Sequence, residues 1–311
     1  MLPAYITHKD CLKHNMGDGH PESPERLGAV NDQLLVKGLL DYMHAFDAPL
    51  ATNEQLCRAH DPSYVEEFAQ TGANVPEDGF VQIDPDTRIN AYSYHAALRA
   101  AGAAVFAADL VASGKAPVAF CNVRPPGHHA ERTAAGGFCF FNNIAVAIKH
   151  TIANYGLERV ALVDFDVHHG NGSEDILFDD PHVLMCSSFE KDIYPFCGDV
   201  PKSENMINIS LPSRSGSKAF REAITTHWLP ALEKFAPQML FISAGFDAHK
   251  EDDMGNLGLV ESDFEWITRE LVRIADKYAK GRIVSCLEGG YELSPLGRSA
   301  AAHVKVLIGA D

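Results

Sequence analysis

Short β-branched or apolar runs recur along the chain at 4–7, 118–122, 160–164, 183–187, 206–211, 239–243 and 283–287, each closing in polar or glycine-rich sequence. Runs this short and this apolar predict strands buried on both faces. Between them, 92–113, 141–154, 218–235 and 261–280 carry helical composition and periodicity. Strand alternating with helix predicts βαβ units, and so an α/β fold built on a parallel sheet covered by helices. Residues 11–26, with Gly17, Gly19, Pro21 and Pro24, predict a long loop leading into a helix, and 72–88 predict a second loop. No repeat or composition shift marks a linker, so residues 1–311 are read as one domain.

Open parallel sheets place their ligand sites beyond the carboxyl ends of the strands. The unusual polar clusters of this chain follow apolar runs: 124–135, 164–172, 244–254 and 288–291. The densest is Asp164-Phe-Asp-Val-His-His-Gly-Asn-Gly172. Carboxylates packed into a strand end need a compensating charge, which suggests a cation. In an extended segment Asp166 and His168 point the same way and can share one metal, with Asp164 on that same side. Carboxylate and imidazole without thiolate suit zinc or ferrous iron in a catalytic role. Asp247, closing Ser243-Ala-Gly-Phe-Asp247, offers a third ligand and leaves a position open for water.

Arg124-Pro-Pro-Gly-His-His-Ala130 adds two adjacent imidazoles, His128 and His129, after a proline-stiffened turn. Their ordinary pKa suits them to deprotonate water and reprotonate an amine. Gly127 allows close backbone approach, and Gly136 with Gly137 lets the loop fold back under the site. Phe138 is then either an aromatic wall or plain core. Tyr291, after Glu288-Gly-Gly, could donate a hydrogen bond to an oxyanion.

Composition narrows the setting. The net charge of −16, from 42 acidic and 26 basic residues, disfavours nucleic acid and anionic membrane as partners and favours basic ligands. The 7 cysteines form no C-x-x-C pair, so neither a disulfide framework nor a cysteine-zinc cluster is expected. No signal-like start and no apolar run near the length of a membrane span is read, and a reducing, cytoplasmic setting follows as the expectation.

In this order and spacing, the motifs from Gly19-His-Pro-Glu-Ser-Pro-Glu-Arg26 to Tyr291 resemble the zinc-dependent histone deacetylase family. The nearest flavour is the class II-like bacterial histone deacetylase-like amidohydrolases. Acetylpolyamine amidohydrolases and acetoin-utilisation proteins are related. The resemblance implies a single-domain arginase/deacetylase-like fold with an eight-stranded, mostly parallel sheet flanked by helices. It implies one Zn²⁺ per chain on Asp166, His168 and Asp247, with a zinc-activated water attacking the amide. His128 and His129 match the tandem histidines, and Asp164 the partner of His128. Tyr291 matches the carbonyl-polarising tyrosine. Phe138 and Tyr194 match tunnel walls, with Gly137, Gly289 and Met254 also along the tunnel. Structural K⁺ is implied on Asp164, Ser187 and Ser188 with the backbone of Asp166 and His168. Asn171 stands where class I members carry aspartate; a neutral partner should leave His129 more readily the neutral base.

The implied substrate is an acetylated lysine of a protein or peptide, or an acetylated polyamine. Met254 stands where polyamine-selective members have an acidic gatekeeper and argues for acyl-lysine, while Glu251, Asp252 and Asp253 are read as an acidic lip. The rivals are a binuclear ureohydrolase and a non-catalytic acyl-lysine reader; an oligomer is possible. His20 is read as an exposed loop histidine, with a rim contact as the alternative, and the 11–26 loop as shaping either the tunnel mouth or a subunit contact.

Overall fold

A computed structural model describes residues 1–310. Its strands are β1 (Ala4–Thr7), β2 (His44–Asp47), β3 (Val81–Gln82), β4 (Arg88–Ile89), β5 (Val118–Cys121), β6 (Val160–Asp164), β7 (Val183–Glu190), β8 (Met206–Leu211), β9 (Met239–Ala244) and β10 (Ile283–Leu287). All but β3 and β4 join one 8-stranded sheet in the order β2-β1-β5-β10-β9-β6-β7-β8. Every pairing within it is parallel, a stricter outcome than the mostly parallel sheet expected. Every residue of β5, β6, β7, β9 and β10 is buried, so helices cover both faces of the sheet there. Ser93–Ala112 packs with Asn143–Tyr155, and Leu293–Leu307 packs between Glu25–Val36 and Glu261–Tyr278.

The strands whose ends carry the polar clusters, β5, β10, β9 and β6, are contiguous in the sheet. Their tips therefore converge where ligand sites are expected. Two elements differ from the sequence reading for physical reasons. Strand β2 has three of its side chains exposed and no apolar run; it is an edge strand, paired only to β1. The 218–235 helix is interrupted by a π turn, Ile224–Trp228, just before Pro230, whose missing N–H and bulky ring disturb the regular ladder. Ser93–Ala112 is long and apolar enough to cross a membrane by composition, contrary to the sequence reading; 72% of its most apolar window is buried, as befits a core helix.

The 11–26 loop is largely internal. Cys11, His14, Met16, Glu22 and Arg26 are all buried. Arg124, at the end of β5, holds the loop by donating to the carbonyls of Cys11 (2.8 Å) and His14 (3.0 Å) and to both carboxylate oxygens of Glu22 (2.5 and 2.6 Å). Arg26 donates to Glu22 as well, at 3.1 Å. One buried carboxylate thus balances two guanidiniums, and losing it would leave uncompensated charge worth roughly 3–5 kcal/mol.

Candidate metal centre and catalytic site

Asp166, His168 and Asp247 come together as the sequence predicted, all buried, each with a ligand atom within 4.8 Å of the others'. His168 Nδ1 lies 3.0 Å from Asp166 Oδ1 and 3.2 Å from Asp247 Oδ2. Backbone fixes both carboxylates: Gly289 N–H donates to Asp166 Oδ2 at 2.8 Å, and Val167 N–H to Asp247 Oδ1 at 2.9 Å. A Cβ on Gly289 would lie 2.1 Å from Asp247 Oδ2, so only glycine lets the β10 turn close over the cluster. Asp247 Oδ2 is buried yet receives no hydrogen bond. Burial, followed by the Asp166 charge, pushes the Asp247 carboxyl up to about 7. Burial opposes charge on His168, but the hydrogen bond to Asp166 and the nearby Asp247 carboxylate lift it to about 10. An orphaned carboxylate oxygen facing a second carboxylate and an imidazole is what a buried divalent cation would satisfy, and the oxygen–nitrogen donor set fits zinc.

Asp164 meets His128 as the resemblance implied: it accepts from the Asp166 N–H (3.1 Å) and lies 2.9 Å from His128 Nδ1. It supports the cluster without joining it.

The tandem histidine rings touch at a tilt of 45°, with centroids 4.0 Å apart. Gly127 permits this loop: a Cβ there would meet Asn143 N at 2.5 Å. Their environments push them in opposite directions. Burial disfavours charge on His128, but the Asp166 and Asp164 carboxylates overcome it and raise the imidazole well above its usual range. Burial lowers His129 well below that range, and the His128 and His168 charges lower it further. His129 Nδ1 lies 2.7 Å from Asn171 Oδ1, a neutral partner. The pair thus offers one cation and one neutral base.

Phe138 packs against Tyr291, and Tyr194 against His129 and His168. Phe138 is 7% exposed and adopts φ +68°, an unfavourable conformation for a bulky residue. Its ring meets Tyr291 at 5.7 Å and His20 at 4.7 Å, so His20 is half-buried and not the exposed loop histidine expected. Tyr194 sits edge-on to His129 at 4.9 Å, and Gly137, at φ +54°, leaves the room a Cβ would fill 2.6 Å from His129. Burial, with the Asp247 and Asp166 charges, holds the Tyr291 phenol well above its usual pKa against the pull of Arg26, so it stays a donor.

Sequence reasoning passed over the groups that hold these parts. Glu288 is buried, accepts from the N–H of Gly127 (2.7 Å) and His128 (3.1 Å), and is raised by burial to about 7. Arg26 donates to the carbonyls of Gly290 (2.6 Å) and Glu288 and lies 4.8 Å from the Tyr291 ring. The acidic lip is corrected at Asp252, while Glu251 and Asp253 are exposed. Asp252 is buried and accepts from the N–H of Met254 (3.0 Å), Tyr291 (2.7 Å) and Glu292 (3.0 Å), while Glu251 is paired to Arg298 at 3.0 Å. Met254 is half-buried against the core. Asp164 and Ser187 are register partners on β6 and β7; Ser187 Oγ lies 3.0 Å from His169 Nδ1, and Ser188 is buried beside it.

Residues 20–307 match the histone deacetylase domain. The chain is 37% identical to the histone deacetylase-like amidohydrolase of Pseudomonas aeruginosa over 88% of this chain and 73% of that one. It is 35% identical to the polyamine deacetylase HDAC10 of Mus musculus, over 99% of this chain and 48% of that one. It also spans 20% of the Type-2 histone deacetylase 2 of Dictyostelium discoideum, at 34% identity and with 97% of this chain covered. The crystal structure of the HDA15 HD domain superposes with a TM-score of 0.92 at 31% identity, covering 99% of this chain and 88% of that one. With the domain match spanning nearly its whole length, this chain belongs to the histone deacetylase family and is a hydrolytic deacetylase.

Proposed function

We propose that this deacetylase hydrolyses the amide of Nε-acetyl-lysine, or a related short acyl-lysine, in a peptide or protein. The observation that carries the reading is the meeting of a buried Asp–His–Asp cluster with two adjacent histidines, His128 held by Asp164 and His129 by Asn171, beside the rings of Phe138, Tyr194 and Tyr291. Zinc held by Asp166, His168 and Asp247 would supply a Lewis acid that polarises the acyl carbonyl and acidifies water. His129, neutral, takes the proton from the attacking water and returns it to the departing lysine amine as the C–N bond breaks. His128, hydrogen-bonded to the Asp164 carboxylate, which favours its charged form, adds positive charge where oxyanion charge develops. Tyr291 donates its O–H to that oxyanion. Phe138 and Tyr194 flank the aliphatic lysine stem. Asp164, Ser187 and Ser188, with the backbone of Asp166 and His168, would bind K⁺ and stiffen the β6 end.

The second reading is an acetylpolyamine amidohydrolase, favoured by the likeness to HDAC10, a polyamine deacetylase. Against it, Met254 offers no charge, Asp252 is engaged by backbone N–H groups, and Glu251 is paired to Arg298. The test compares acetyl-lysine and trifluoroacetyl-lysine peptides with N8-acetylspermidine, with and without chelation and zinc re-addition. Chelator-sensitive turnover of the peptides supports the lysine reading; turnover of the polyamine alone overturns it.

A further inference from the structure

Asn171 presents an amide to His129, and an amide has two unlike ends. Its oxygen can only accept a hydrogen bond and its nitrogen can only donate one. Which end meets His129 decides which ring nitrogen carries the proton, and so whether His129 can act as a base. Nothing in Asn171 itself makes that choice.

Glu131 does. Its Oε1 lies 2.8 Å from Asn171 Nδ2. A carboxylate only accepts, so the amide nitrogen must face Glu131, which turns Oδ1 to His129 Nδ1 at 2.7 Å. That nitrogen must then carry the proton, leaving Nε2 with a free lone pair. Glu131 is itself held on both sides of its α-carbon: its N–H donates to Ala134 O at 2.9 Å, and its carbonyl lies 2.9 Å from His60 Nδ1. Asn171 opens the helix Asn171–Leu177, with its N–H donating to His169 O at 2.9 Å. Both ends of the relay are therefore anchored by backbone.

We propose that Glu131 is a positioning residue that fixes the productive tautomer of His129 through Asn171. An aspartate at 171 would make the same choice alone, because both its oxygens accept. Glu131 thus supplies, one residue removed, the directionality that an amide at 171 lacks. Without Glu131, Asn171 is free to turn its nitrogen toward Nδ1, and the proton moves to Nε2, where it blocks base catalysis. The proposal rests on the reading of His129 as the base.

The test uses full-length, zinc-loaded protein labelled with ¹⁵N-histidine. In the wild type, long-range ¹H–¹⁵N correlation should show His129 Nδ1 protonated and Nε2 unprotonated. Glu131→Ala should populate the opposite tautomer, and kcat should fall about tenfold with KM little changed, as expected when only a fraction of the enzyme is competent. In an Asn171→Asp background the same Glu131→Ala change should cost no further kcat. An unaltered tautomer pattern in Glu131→Ala, or an equal fall in both backgrounds, overturns the proposal and leaves Glu131 a structural residue. Absence of wild-type turnover on acyl-lysine would count against the functional reading instead, and the tautomer spectrum would still decide the role of Glu131.

Discussion

Asp166, His168 and Asp247 follow the ends of adjacent strands, β6 and β9, and their carboxylates are held by neighbouring backbone N–H groups. Tyr291 and Met254, across the site, hang from loops that reach their positions through single side chains: Arg26 on the Gly290 carbonyl and Asp252 on three N–H groups. The first arrangement inherits the rigidity of the sheet. The second depends on a few hydrogen bonds made by two side chains, Arg26 and Asp252. Metal holding and oxyanion stabilisation should therefore be separable by mutation.

The largest separation is expected at the strand-held side. Asp166→Ala should abolish stoichiometric zinc binding and lower turnover by about a thousandfold or more, since two ligands rarely suffice for a catalytic zinc. Metal analysis of the purified protein checks this. Tyr291→Phe should leave the zinc content intact while lowering kcat about 10²- to 10³-fold, the usual cost of one oxyanion donor. Unchanged turnover would remove Tyr291 from the reaction. Asp252→Asn should be milder. The side chain keeps an oxygen for one loop but can lose its acceptor for the other, so kcat should fall about tenfold through misplacement of Tyr291, with zinc unchanged. An accompanying loss of zinc would show that the two sides are not independent.

The same contrast explains what could be read from sequence. An apolar run ending in carboxylate or histidine is a local signal, so the β6 and β9 ends, and most strand bounds, were legible. Asp252, Glu288, Arg26 and Glu131 were in plain view in motifs or beside them, yet their roles depend on partners 39, 161, 264 and 40 residues away. Sequence cannot assign a carboxylate to a distant backbone N–H. The acidic reading of 251–253 failed at Asp252 for this reason: charge suggested solvent, which holds for Glu251 and Asp253, whereas Asp252 is taken inward by the loops it joins. Strand β2 was missed because an edge position does not impose an apolar pattern.

The histidine loop lies between these extremes, and His60 gives it an acid-sensitive tie. His60 is 2% exposed; its Nδ1 lies 2.9 Å from Glu131 O, and its Nε2 accepts from Asn142 N–H at 2.9 Å. The imidazole must be neutral to accept that second bond, and burial lowers it to about 4. The unfolded chain titrates near 6.5, so as pH falls below that value the unfolded state binds a proton that the folded state excludes. The stability contribution is intact above roughly pH 6.5 and is lost progressively towards pH 4, by about 2 kcal/mol at pH 5. Other buried histidines, including His303, add to the same slope, because burial holds that imidazole near 3. His60→Gln, which retains an acceptor for Asn142, should therefore flatten the pH dependence of unfolding by one proton's share. Urea melts at pH 7.5 and pH 5 measure it: the wild type should lose about 2 kcal/mol more than the variant between them. Equal losses would mean that the histidine loop accommodates a charged His60, and that this loop is looser than the strand-held ligands by more than its hydrogen bonds suggest.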